Sequence, residues 1–259
     1  MKKLFSTLIS TALVLSIFSF SQAGAQTRGR ASARSTQQRR TRFGYNEKKI
    51  REANRRLRYT ITAKYPQFIV NGTDERISNL NSAINSKVAK EIADFKKDFE
   101  KPETRMGPAG SSFDVSYSVE ISTNDLVSII FYIDSFYEGA AHGLHVSDTF
   151  NYNLDTGKEL NLADLFKPNS GYLNLISKHT ISDLKKQLGP DSDKDWIEKG
   201  AGPSEENFKS WNVTRKGLEI TFDPYQVASY AEGPHEVVVP FSVLRSAIEP
   251  NGPLAKIAR

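Results

Sequence analysis

The residues with the clearest capacity for chemistry lie in YEGAAHGLHVSD, Tyr137 to Asp148. Two of the chain's four histidines, His142 and His145, stand here in an H-x-x-H spacing, with Glu138 before them and Asp148 after. Two imidazoles and a carboxylate make a zinc ligand set when they converge. The spacing belongs to no regular element, because a helix aligns i with i+4 and a strand aligns i with i+2. Gly139, Ala140, Ala141 and Gly143 surround the histidines and mark a turn between strands. A loop can still fold both rings toward one ion, with Glu138 or Asp148 as third ligand. The set His142, His145 and Asp148 would then serve a metal-dependent hydrolase acting on envelope polymers. Ser112, Ser128 and Ser135 are possible nucleophiles, but none sits in a G-x-S-x-G elbow, and no catalytic residue is named.

The structural reading explains more of the same residues. Gly139 and Gly143 allow positive φ and close backbone approach. Ala140 and Ala141 leave room for a neighbouring aromatic ring, and His142 can bond a backbone carbonyl or a carboxylate. On this reading the protein is not an enzyme, and the turn borders a ligand groove. The candidate contacts are Tyr137, His142, Tyr225 and Tyr230. Packing of the two loop tyrosines on the sheet is the competing account. No cofactor is expected.

The elements that must position this turn follow from periodicity. Tyr59, Ile61 and Ala63 alternate with polar residues, as in a half-buried strand that Pro66 interrupts. Asn71-Gly72 turns the chain, and Thr73 or Asp74 caps a helix whose stripe is Ile77, Leu80, Ile84, Val88, Ile92, Phe95 and Phe99. A loop over Glu103–Ser111 leads to a hairpin of two strands around Asn124-Asp125, and His145–Leu154 gives a third strand. Tyr172 to Leu188 reads as a second, shorter helix closed by Gly189-Pro190. Residues 190–206 are polar and turn-rich. A hairpin around Arg215-Lys216-Gly217, an aromatic loop Pro224–Pro234, a strand at Val237–Val239 and a closing helix Phe241–Ile248 follow. Without βαβ alternation, this pattern predicts α+β with a mostly antiparallel sheet.

The ends and composition limit the function. Residues 1–25 have the charged, apolar and small-residue regions of a secretory signal peptide. The chain holds no Cys, which excludes disulfides, thiolate sites and a lipoprotein anchor. Twelve basic residues between Gln26 and Arg58 face only Glu47 and Glu52, so the net charge of +5 comes from this segment and the body is acidic. Residues 26–56 are expected to form a basic, largely disordered arm. It could contact an anionic polymer or membrane surface, with no specific nucleic-acid partner. The single module is expected over 57–250, in halves 57–136 and 137–250, with a tail at 251–259. No stretch is apolar enough for a transmembrane helix.

The turn also carries a family likeness. FYEGAAHG followed by FNYNLDTGKELNLADLF resembles domain of unknown function 3298, as does the ending FDPYQVASYAEGPHEVVVPFSVL. YTITAKYPQF, the long helix and LVSIIF are similar to its N-terminal companion, domain of unknown function 4163. One departure is Ala140, where the family more often has a second glycine. Relatives include the extracellular module of RsiV-type anti-sigma factors, which bind lysozyme, and modules beside peptidoglycan deacetylases. The resemblance implies an exported binding module of the periplasm or cell surface. Its ligand would be a cell-wall glycan or a wall-acting protein such as lysozyme, and no catalytic residues carry over.

Overall fold

A computed structural model describes residues 42–100 and 110–258. The expected signal peptide, most of the expected basic arm and most of the Glu103–Ser111 loop lie outside the described residues. Within them the fold is α+β: a six-stranded sheet ordered β1-β2-β3-β4-β5-β6 and a three-stranded sheet ordered β7-β8-β9. The strands of the first are β1 (Gly44–Asn54), β2 (Tyr59–Ile69), β3 (Ser111–Ser122), β4 (Leu126–Phe136), β5 (Leu144–Asn153) and the short β6 (Lys158–Glu159). Those of the second are β7 (Trp211–Val213), β8 (Gly217–Phe222) and β9 (His235–Pro240).

Helix α1 (Glu75–Lys97) starts at Asp74, whose carboxylate accepts the Arg76 amide at 3.0 Å. A cap of this kind contributes about 1 kcal/mol. Lys96 and Lys97 in its last turn favour the helix dipole. Its stripe from Ile77 to Phe95 packs on Ile61, Ala63, Tyr65, Phe113, Val115, Ile129, Phe131 and Ile133, which form one face of the first sheet. The second core gathers α2 (Tyr172–Leu188), α3 (Lys194–Gly200), α4 (Phe241–Leu244) and the inner residues of β7–β9.

Four expectations change. Residues 44–54 are not arm: they form β1, an edge strand paired along its length with β2. Lys48 and Glu52 on it bond Asn85 and Lys96 of α1, so a charged strand is held by polar contacts and shows no apolar alternation. Second, β2 continues through Pro66. Pairing with β3 ends at Ala63, so Pro66 lies where only β1 borders the strand and its missing N–H is tolerated. Third, β2 and β3 are parallel, joined through α1, so one βαβ crossover sits in an otherwise antiparallel sheet. Fourth, the turn-rich 190–206 contains α3, capped by Asp193. The tail is also structured in part, since Leu254 is buried in the second core.

The two sheets meet at the far end of β3 and β4. A β-bulge between Val119 and Ile121 inverts the strand's parity. Val119 therefore packs in the first core, while Ile121 and Leu126 enter the second. The contact is sealed by buried amides. Asn212 Nδ2 donates to Ser128 Oγ at 2.8 Å and to the Ile129 carbonyl at 3.0 Å. Ser128 Oγ donates to Asn151 Oδ1 at 2.6 Å and accepts the Val213 amide at 3.1 Å. Asn151 Nδ2 donates to the Trp211 carbonyl at 2.8 Å. Replacing Ser128 with Ala takes a partner from Asn151 Oδ1, the Val213 amide and Asn212 Nδ2, of which the last keeps the Ile129 carbonyl, and should cost about 2–3 kcal/mol in urea unfolding. A loss below about 0.5 kcal/mol would mean that apolar contact alone joins the sheets.

The same junction half-buries Glu219 of β8. Its carboxyl is pushed up to about 7, by burial first and then by Glu120 and Glu236. The folded state therefore binds this proton more tightly than the unfolded chain does. The associated stability is present below the unfolded value near 4.5 and is lost as pH rises through about 7. Glu219→Gln should remove about 2–3 kcal/mol of that decline, read as urea midpoints from pH 4.5 to 8. Parallel pH profiles for the two proteins would overturn the assignment.

Candidate functional site

The turn that joins β4 to β5 does not form a metal centre. Glu138 turns inward: its carboxylate pairs with Arg58 at 3.1 Å and accepts the Gly110 amide at 3.0 Å. Asp148 has the opposite strand parity to His145 and pairs with Lys87 of α1 at 2.8 Å on the other face of the sheet. His145 Nδ1 instead hydrogen bonds Asp134 on β4, directly opposite it in the register. His142, His145 and Asp148 are thus not brought to one point. Among the described residues no group of three His, Asp or Glu side chains is placed to hold a metal.

What the turn does build is a stack of rings. Gly139, at φ 93°, starts the turn, and Gly143 passes close to β4: a Cβ on it would lie 3.2 Å from the Ser135 carbonyl. The Gly143 carbonyl faces His142 Nδ1 at 2.9 Å and accepts the Tyr230 hydroxyl at 2.9 Å. With Nδ1 protonated, His142 also donates to it. The His142 and Tyr230 rings then lie 4.2 Å apart at 31°. Tyr225 continues the series 5.5 Å from Tyr230 at 32°, and His145 stands 6.1 Å from Tyr230.

The loop that delivers the tyrosines is pinned from behind. Trp196 of α3 donates to the Tyr225 carbonyl at 3.1 Å, and Gln226 donates to the carbonyls of Gly200 and Asn207 at 3.0 and 2.8 Å. A Cβ at Gly200 would stand 2.0 Å from the Gln226 carbonyl, so α3 needs glycine at its end. Asp223 accepts the Ser147 amide at 2.9 Å and ties the loop's start to the free edge of β5. Burial pushes the Asp223 carboxyl up, against the Ser147 hydrogen bonds that lower it. Held this way, Tyr225 takes φ 71° and remains 54% exposed. A left-handed tyrosine costs roughly 1 kcal/mol. Leu144, which follows Gly143 in the turn, is 53% exposed.

Of the four predicted contacts, His142, Tyr225 and Tyr230 come together and Tyr137 does not. Its hydroxyl donates to Asp98 at 2.7 Å, and its ring lies 5.6 Å from Phe95 and 6.2 Å from Phe99. It belongs to the first core. Sequence reasoning missed Trp196, whose indole holds the loop, and Asp134, which orients His145. The position of Asp134 opposite His145 is readable only once the hairpin register is known. A second opening, a polar cleft of about 790 Å³, lies along β5 and includes Lys87, Asp148, Glu159 and Asp223.

This two-sheet α+β fold, with its site at the join of the halves, has known counterparts. Residues 163–242 match the family described as protein of unknown function (DUF3298), and residues 52–145 match the family described as deacetylase PdaC. The C-terminal part of the chain is thus similar to the DUF3298 family and the part ahead of it to a PdaC-type module. A curated relative is the peptidoglycan-N-acetylmuramic acid deacetylase PdaC of Bacillus subtilis (strain 168), 26% identical over 191 residues. The match covers 74% of this chain and 39% of that protein, so the chain spans well under half of the relative's length. A DUF3298 family structure from Bacteroides fragilis NCTC 9343 has a TM-score of 0.60 at 17% identity, covering 84% of this chain and 98% of that one. One from Pseudomonas aeruginosa PAO1 has a TM-score of 0.53 at 16% identity, covering 81% and 94%. At these identities the likeness shows the fold alone. No helix among the described residues is long and apolar enough to cross a membrane.

Burial, with the Asp98 carboxylate next to it, pushes the Tyr137 phenol well above its ordinary value. The stability this gives is complete below about pH 10 and is lost as pH rises further. Tyr137→Phe should lower stability by about 1–2 kcal/mol at pH 7 and flatten the alkaline decline. An unchanged alkaline limb would place that titration elsewhere.

Proposed function

We propose that this chain is a non-catalytic binding module of the cell envelope whose ligand is a wall glycan, held against the Tyr225–Tyr230–His142 stack. The observation that carries the reading is the stack itself: rings 4.2 and 5.5 Å apart, with Tyr225 strained and exposed. A strained exposed aromatic raises the folding cost without covering core, which is a pattern found at ligand sites. Tyrosine and imidazole rings offer an apolar face to the C–H side of a pyranose and a polar edge to its hydroxyls. The relative's name supports the ligand class, since that protein is a peptidoglycan deacetylase. An exported location follows from the same ligand class, and the basic residues ahead of β1 would add attraction to an anionic wall.

The test is cosedimentation with purified peptidoglycan at physiological and several-fold higher salt. Tyr225→Ala should weaken pelleting about ten-fold, a loss near 1.4 kcal/mol, while leaving the melting temperature unchanged or raised. Pelleting equal to the parent at both salts would remove the stack from the site. Failure of the parent itself to pellet would turn attention to a wall-acting protein, with lysozyme the first to try.

A further inference from the structure

The face of the six-stranded sheet turned away from α1 holds two pairs of like charges. The register sets Lys49 of β1 opposite Lys64 of β2, and Asp114 of β3 opposite Asp134 of β4. Their chain neighbours Ile50, Ala63, Val115 and Ile133 pack against the α1 core, so these four side chains share the outer face. Like charges directly opposite across two strands oppose folding. Lys49, Lys64 and Asp114 form no ion pair or side-chain hydrogen bond among the described residues, and Asp134 bonds only His145. Desolvation, then Arg51 and Lys64, hold the Lys49 ammonium below its ordinary value, with Glu47 opposing.

These charges lie in line with the aromatic stack. Arg51 is opposite Thr62, Thr62 pairs with Asp114, Asp114 with Asp134, and Asp134 with His145, which leads to Tyr230. The row crosses four inter-strand spacings, about 19 Å. Its chemistry runs cation, hydroxyl, two carboxylates, imidazole, tyrosine. A dense polyanion laid here would meet the aspartates about 10 Å from the lysines, and a polycation would meet the lysines. A neutral glycan would leave both like-charge pairs unrelieved.

We propose that this face extends the glycan site and selects an oligosaccharide carrying both free amines and carboxylates. It rests on the glycan reading given above. One sugar ring lies on the stack, an amine sits over Asp114 and Asp134, and a carboxylate reaches Lys49, Arg51 and Lys64. Ligand charge then relieves both pairs, so the cost to the fold is recovered on binding.

The test is calorimetry of the full chain with four β-1,4-linked tetrasaccharides. They are N-acetylglucosamine tetramer (neutral), its de-N-acetylated form (cationic), the alternating N-acetylglucosamine–N-acetylmuramic acid tetramer (anionic) and its de-N-acetylated form (amphoteric). The amphoteric ligand should bind tightest. Lys49→Gln should weaken only the two carboxylated ligands and Asp114→Asn only the two amine-bearing ones, each about two- to five-fold. Both variants should melt at or above the parent temperature, which separates ligand charge from folding damage. Equal binding of all four ligands would overturn the inference and leave the stack reading standing. Tightest binding of the anionic ligand, unaffected by Asp114→Asn, would reduce the face to a basic patch and also overturn it. No binding of any of them would remove both readings.

Discussion

Everything placed at the ring stack depends on the buried polar clamp of Ser128, Asn151 and Asn212. Two sheets with separate cores could meet at many angles if only apolar side chains joined them, because apolar contact is weakly directional. Hydrogen bonds at 2.6–3.1 Å among fully buried groups permit one arrangement, since any shift leaves amides unpaired in a dry environment. The clamp fixes β7 against β4 and β5. That in turn sets where β8 ends and where the loop carrying Tyr225 and Tyr230 begins. The Tyr230 hydroxyl then reaches a carbonyl on the β4–β5 turn, 87 residues away in sequence.

The parts of this fold that obey a simple period were readable in the chain. The stripe from Ile77 to Phe95 gave α1, the alternation after Phe113 gave β3, and Gly189 marked the end of α2. The parts that were missed draw stability from elsewhere. Strand β1 looks like a charged arm because its inward residues include Lys48 and Glu52, which are matched by Asn85 and Lys96 and not by apolar neighbours. The parallel β2–β3 pair depends on α1 folding back over the sheet, which no local pattern encodes. Helix α3 is short and polar on one side, and Ile197 is its main buried anchor.

The candidate site was legible in the same uneven way. His142, Tyr225 and Tyr230 come together through the Tyr230 hydroxyl on the Gly143 carbonyl and the ring contacts on either side of that bond, and only the residue types, not this contact, were readable in the chain. Tyr137 follows the same sequence logic and fails, because it directly follows β4 and keeps the inward parity of Ile133, toward the α1 core. Its ring has Phe95 and Phe99 within reach. The histidine pair misled for a related reason: H-x-x-H describes separation along the chain, whereas His145 is oriented by Asp134 across the sheet.

The two family matches divide the molecule at a telling place. The first, residues 52–145, supplies β2 to β4 and the turn with His142 and His145; the second, residues 163–242, supplies the loop with Tyr225 and Tyr230. Neither half holds the stack alone. The first ends in an exposed imidazole turn, and the second presents a strained tyrosine with nothing to lean on. The outer sheet face belongs almost wholly to the first half, with the edge strand β1 mostly outside the match. Pairing the modules in one chain therefore joins a flat charged floor to an aromatic edge, and Ser128, Asn151 and Asn212 hold the two in register.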